Sequence, residues 1–204
     1  MVSDECLPIA LYEDVPFPPQ EEYQWIIETF KRHYNRMHTT SLKLVEWIAI
    51  GLGLDRRTFH PWFERDSLST QRAVHILPRS ANIVSSSELS ESEFKLTTPE
   101  HNDAGFVTLL STFGYPGLQV LLDGEYKSIK PVHNELVVNL GVIFNRISDG
   151  KLKATLHRVL DIGIERFSSP FFLRPRYFAK IPESIFVSEE EQAATAVDFG
   201  PYFV

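Results

Sequence analysis

The 204 residues contain a single cysteine, Cys6, which excludes an intrachain disulfide and any zinc site built on cysteines. No apolar run approaches the roughly 20 residues that cross a bilayer, and the acidic start at Asp4 and Glu5 lacks the basic residues of a signal peptide. No membrane partner is therefore expected, and the cytoplasm is the expected location. Positive charge is in deficit as well. The chain has 20 Lys and Arg against 27 Asp and Glu, a net charge of −7, which argues against a phosphate-backbone partner and so against nucleic acid. What remains is a globular composition, 43% hydrophobic and 12% aromatic, enough for one core without staples.

Along the chain, Pro8, Pro16, Pro18 and Pro19 make residues 1–20 an extended arm. From Glu21, apolar residues recur at three- and four-residue steps through Ile26, Phe30, Tyr34, Met37, Leu44 and Ile48, predicting a long amphipathic helix that ends near Gly51 and Gly53. A short helical turn is expected over Asp55 to Phe63, capped by Asp55 and limited by Pro61. Ala73 to Leu77 reads as a strand, and Ser80 to Thr98, rich in Ser and Glu, as a loop. Six further β-type runs follow: 106–112, 117–122, 125–130, 135–140, 153–159 and 166–173. Asp123-Gly124 between two of them is a hairpin signal. Many short strands behind one long helix predict a mostly β (α+β) protein, an antiparallel barrel or jelly roll with a helical N-terminal part.

His101-Asn102-Asp103 carries the first chemical signal, because residues one apart on a strand project from the same face and can offer an imidazole and a carboxylate to one ion. Chance alone gives about 0.3 such pairs in this composition, so the pair is weak by itself. A similar pair, His133-Asn134-Glu135, sits in the link after Pro131 and reads as a decoy, since a loop fixes two donors poorly. His157 lies 54 positions after Asp103, and Arg166 and Ser168 follow on the next expected strand. Two imidazoles and a carboxylate on one face leave open positions that suit Fe(II) taking up a chelating cosubstrate and dioxygen. The planar fork of arginine suits the far carboxylate of a dicarboxylic acid. Arg-x-Ser alone is uninformative, since it also occurs at Arg65/Ser67 and Arg146/Ser148. The plainer readings are a hydrogen-bonded polar cluster at a barrel mouth and an ordinary strand arginine.

Residues 99–110 (PEHNDAGFVTLL), Gly117-Leu118-Gln119-Val120, Asp123-Gly124, 137–141 (VVNLG), His157-Arg158-Val159 and Arg166-Phe167-Ser168 together resemble, in order and spacing, the isopenicillin N synthase-like Fe(II)/2-oxoglutarate dioxygenases. The resemblance covers roughly residues 21–175. It implies a double-stranded β-helix with the metal at its open end: a helical part over 21–63, the jelly-roll core over about 68–175, a tail over 176–204, and one domain over 21–204. It implies that His101, Asp103 and His157 ligate Fe(II), and that Arg166 and Ser168 hold the distal carboxylate of 2-oxoglutarate. The implied activity is oxidation, by hydroxylation, of a small organic molecule by dioxygen, with release of succinate and CO2 and no protein general base. Ascorbate is a candidate auxiliary. Some members of the family use the Arg/Ser pair for a different carboxylate.

Three departures from the family pattern stand out. Leu77 occupies the place of a tyrosine that often contacts the cosubstrate, so one hydrogen bond worth about 1 kcal/mol is expected to be missing. Val142 follows Gly141 where an aspartate is common, so a supporting polar contact is expected to be lost. The family also has a strand and further helices ahead of the long helix, where this chain has its Pro-rich arm. These departures motivate an alternative: a metal-binding but catalytically impaired homologue acting as an interaction or regulatory module. A third reading is a metal-free, cupin-like jelly roll.

Overall fold

The computed structural model describes residues 23–64, 67–78 and 95–203. The Pro-rich arm, Cys6, the first two residues of the expected helix, Arg65 and most of the Ser/Glu-rich stretch lie outside the described residues. The long helix is α1 (Gln24–Gly51), ending where the two glycines predict. Its four-residue steps place Met37, Ser41, Val45 and Ala49 on one buried stripe. α2 (His60–Phe63) is shorter than expected. Asp55 Oδ1 accepts from the Arg57 N–H at 2.8 Å and so caps only the turn before it. Pro61 sits in the first turn of α2 rather than limiting it, because an N–H there has no intrahelical partner to lose.

The chain then forms β1 (Thr70–Gln71), β2 (Val74–Ile76), β3 (Leu96–His101), β4 (Val107–Ser111), β5 (Leu118–Leu122), β6 (Glu125–Ser128), β7 (Val137–Leu140), α3 (Val142–Ile147), β8 (His157–Leu160) and β9 (Arg166–Leu173). The tail adds β10 (Lys180–Ile181), α4 (Glu189–Thr195), β11 (Val197–Asp198) and α5 (Phe199–Phe203). In one antiparallel sheet, β1 and β2 both pair along β9, followed by β4 and β7; the other runs β3-β8-β5-β6. These two facing sheets are the jelly roll that the strand pattern predicts.

Period-two alternation divides the first sheet. Val107, Leu109, Phe171 and Leu173 are fully buried toward the helices, where Tyr34 of α1 meets Phe171 edge-on at 5.3 Å. Phe59, Phe106 and Phe144 complete that core, with Phe106 and Phe144 edge-to-face at 4.8 Å. The opposite face, carrying Thr108, Leu110, Pro170 and Phe172, lines the space between the sheets. Asp123 and Gly124 join β5 to β6 with φ of 54° and 83°, the paired positive values that a two-residue hairpin needs.

Several boundaries differ from the sequence reading. β3 begins at Leu96, inside the expected loop; its pairing with β8 is broken by register shifts and its polar residues show no alternation, so no strand period marks it in the sequence. β8 begins at His157 rather than Lys153. Residues 176–204 are more than a tail: β10 pairs with β11, and Ser188 with Glu191 forms a capping box on α4. None of α4 is buried, so Glu189-Glu190-Glu191 is the solvated face that a charge run predicts. No described helix is long and apolar enough to cross a membrane.

Candidate metal centre and cavity

His101 ends β3 and His157 opens β8, and the two stand directly opposite each other in the antiparallel register with ring centroids 4.2 Å apart. Asp103 lies just beyond β3, and its backbone carbonyl accepts the Val142 N–H at 2.8 Å, so the start of α3 holds the turn. His101 Nε2 lies 3.7 Å and His157 Nε2 3.8 Å from Asp103 Oδ1, and the three ligand atoms all fall within 4.8 Å of one another.

The remaining polar atoms of the three residues are engaged in a way that aims the free ones. Nδ1 of His101 is 2.9 Å from the Pro99 carbonyl, and Nδ1 of His157 is 2.9 Å from the Thr155 carbonyl. A carbonyl only accepts, so each Nδ1 carries the proton and each Nε2 offers a lone pair. Asp103 Oδ2 accepts from Thr108 Oγ1 at 2.5 Å and from Asn139 Nδ2 at 2.7 Å, leaving Oδ1 toward the histidines. Carbonyls behind imidazoles and donors behind a carboxylate are the usual outer support of a metal site. The donor set therefore fits a divalent ion, with Asp103 buried, His157 nearly so and His101 open to solvent.

The three residues face a cavity of about 280 Å³ between the sheets, lined by side chains of β2, β3, β4, β5, β7, β8 and β9. Arg166 and Ser168 project into the same cavity. Arg166 is 3% exposed, and its guanidinium donates to the Pro116 carbonyl at 2.7 Å, to Thr97 Oγ1 at 2.8 Å and to the Leu160 carbonyl. All three acceptors are neutral, and no carboxylate among the described residues lies within ion-pair distance. Burial draws the Arg166 pKa below its ordinary value, opposed by the charge of Asp161. A buried cation whose hydrogen-bond acceptors are all neutral favours an anion arriving from the cavity.

Gly117 makes room for that guanidinium. Its φ is +122°, and a Cβ there would lie 2.1 Å from Arg166 Nη1. Nothing local in the sequence marks Gly117, Thr97 or the cavity-lining Tyr115 as site residues: Gly117 stands out only by the spacing of Gly-Leu-Gln-Val, and Thr97 falls in the expected loop.

Other expectations resolve differently. His75 lies on the outward parity of β2, stacked on Phe167 and 2.8 Å from Glu165. Leu77 shares that outward parity, is 65% exposed and does not line the cavity, so a hydroxyl at this position would not reach into it. Phe144 and Phe171 are core, whereas Phe172 lines the cavity. His133 is exposed and stands outside the ligand cluster.

The family model described as the 2OG-Fe(II) oxygenase superfamily matches residues 77–175, the span that holds the triad, Arg166 and most of the cavity lining. This span belongs to the 2OG-Fe(II) oxygenases. Gibberellin 20 oxidase 2 of Oryza sativa subsp. indica is 33% identical over 148 residues, covering 72% of this chain and 35% of that protein. A 2-oxoglutarate-Fe(II) type oxidoreductase of Aspergillus fumigatus is 32% identical over 153 residues, covering 72% and 43%. The chain thus spans less than half the length of these oxygenase relatives. In fold it resembles a full-length Neurospora crassa protein solved in complex with alpha-KG, with a TM-score of 0.79 and 24% identity over 95% of this chain and 61% of that one.

Proposed function

We propose that this chain is an Fe(II)- and 2-oxoglutarate-dependent oxygenase that hydroxylates a small organic molecule, with release of succinate and CO2. The observation that carries the reading is the pairing, in one cavity, of three aimed ligand atoms with a buried arginine whose hydrogen-bond acceptors are all neutral. His101 Nε2, Asp103 Oδ1 and His157 Nε2 would hold the iron and leave positions for the cosubstrate and dioxygen. When bound, iron and 2-oxoglutarate together supply the dioxygen chemistry, one oxygen atom entering succinate and the other the substrate.

The protein's own part is orientation. The Pro99 and Thr155 carbonyls fix the imidazole tautomers, and Thr108 with Asn139 holds the carboxylate. Arg166 and Ser168 bind the distal carboxylate of 2-oxoglutarate, and the apolar walls exclude water. No proton passes through a protein base. Residues 21–204 act as the one catalytic domain, and the single cysteine fits a cytoplasmic setting. No feature of the described residues favours the impaired alternative, since the ligand atoms and Arg166 all face the cavity.

Uncoupled turnover tests the reading. Protein supplied with Fe(II), ascorbate, oxygen and 2-oxoglutarate should release succinate without added substrate, and Arg166→Gln should raise the KM for 2-oxoglutarate about tenfold or more. A folded, iron-loaded protein that yields no succinate would contradict it.

A further inference from the structure

The cavity carries a second cation that the oxygenase reading does not use. Arg72 lies in the two-residue link between β1 and β2, and its N–H donates to the Pro170 carbonyl at 3.0 Å. Register fixes its direction. Thr70 stands opposite Phe172, Val74 opposite Ser168 and Ile76 opposite Arg166, so position 72 falls on the same face as Phe172, Pro170, Ser168 and Arg166. That face is the cavity wall, and Arg72 is one of its lining residues.

The Arg72 guanidinium sits over the Phe172 ring at 5.6 Å from its centroid, and Arg174 approaches the same ring at 5.5 Å. Among the described residues the Arg72 side chain makes no hydrogen bond and no ion pair, unlike Arg166 with its three acceptors. The two arginines act on each other as like charges: burial chiefly, then Arg72, draws the Arg174 pKa down, with Asp103 opposing. Among the described residues Asp103 is the only carboxylate in the cavity wall, and it is turned to the histidines. Among the described residues, the Arg72 guanidinium therefore has no carboxylate to balance it.

Arg72 is level with Pro170, four residues from Arg166 along β9, or about 13 Å of strand. Thr108, the donor to Asp103, stands opposite Phe172, so along β9 the level of Arg72 falls between those of Arg166 and the metal ligands. The surface leading from Arg72 inward is apolar, formed by Val74, Leu110, Val137 and Phe172.

We propose that Arg72 anchors a carboxylate of the substrate, so that the molecule oxidised is a small amphipathic carboxylic acid whose apolar body lies against Phe172. The proposal rests on the oxygenase reading above. The guanidinium fork supplies charge-assisted hydrogen bonds that a neutral amide cannot match.

The test is calorimetric titration of the anaerobic Fe(II) protein, saturated with 2-oxoglutarate to fill the Arg166 end. The probes are 3-phenylpropanoate, cyclohexylacetate and hexanoate, each compared with its carboxamide. At least one carboxylate should bind about tenfold more tightly than its amide; Arg72→Gln should reduce that preference to about twofold or less, and Arg72→Lys should keep part of it. The 2-oxoglutarate affinity of each variant reports the Arg166 end separately. A set with no carboxylate preference, or a preference unchanged in Arg72→Gln, overturns the anchor. If iron and 2-oxoglutarate fail to bind while the carboxylate preference persists and depends on Arg72, the oxygenase reading falls and the anion site stands.

Discussion

Thr108→Val deletes one hydroxyl behind the candidate metal ligand and leaves the shape of the strand unchanged. Thr108 is 4% exposed and Asp103 6%, so water does not readily replace the lost donor. The bond removed runs to Asp103 Oδ2, which then keeps only the Asn139 amide at 2.7 Å. A hydrogen bond to a charged group is worth about 1.5–3 kcal/mol. Losing an outer partner of a metal ligand typically costs about 10–100-fold in metal affinity, or about 1.4–2.7 kcal/mol. The two ranges overlap, so Thr108→Val should weaken binding of a divalent ion by ten- to a hundredfold on this scale. Asn139→Leu should do the same, and the double variant should lose less than the sum, because both donors serve one oxygen. Calorimetry with Co(II) as a redox-stable ion, under chelator competition, measures this without turnover. Thermal midpoints of the metal-free proteins check that each variant folds. A folded Thr108→Val protein that binds the ion within about twofold of the wild type would refute the reasoning.

Gly117→Ala should cost about 1–3 kcal/mol of stability from the backbone conformation at φ +122°, and should displace the Arg166 guanidinium. Its 2-oxoglutarate affinity should therefore fall more than its metal affinity, as paired titrations would record. On α1, the Glu46 carboxylate is held down to about 2, chiefly by the Arg56 guanidinium at 2.7 Å and then by Lys43, against the effect of burial. His60 Nε2 also lies 3.0 Å from Glu46, without hydrogen-bond geometry. A depressed carboxyl stabilises the fold above its ordinary value of 4.5 and loses that contribution as pH falls toward 2. Glu46→Gln should thus lower the thermal midpoint at neutral pH, with the difference closing across that window. A difference independent of pH would show that the charge is not responsible.

The jelly roll was readable because its strands alternate. Thr108 and Leu110 face the cavity while Val107 and Leu109 face the helices, and that period survives in the sequence. The triad was readable because its spacing in the chain matched a family pattern, yet nothing in the spacing revealed that His101 and His157 are cross-strand partners. β3 was hidden because its polar residues pair through register shifts, so neither alternation nor hydrophobicity marks Leu96 to Thr98 as strand. Thr97 was lost with it, although it accepts from Arg166. Arg72 carries no local signal at all. It becomes notable only when pairing with β9 sets its parity and places it over Phe172. Leu77 shows the converse, where a departure from the pattern looked costly and its outward parity makes it indifferent to the cavity.

The central claim is that His101, Asp103 and His157 hold iron in the same cavity in which Arg166 receives 2-oxoglutarate. Anaerobic titration of the protein with Fe(II) and then 2-oxoglutarate tests it most directly through the visible charge-transfer band of the chelated cosubstrate. The account predicts a weak band that saturates as 2-oxoglutarate is added, is lost in Asp103→Ala and His101→Ala, and needs much more 2-oxoglutarate in Arg166→Gln. A well-folded protein that gives no band, or a band untouched by Asp103→Ala, would contradict it.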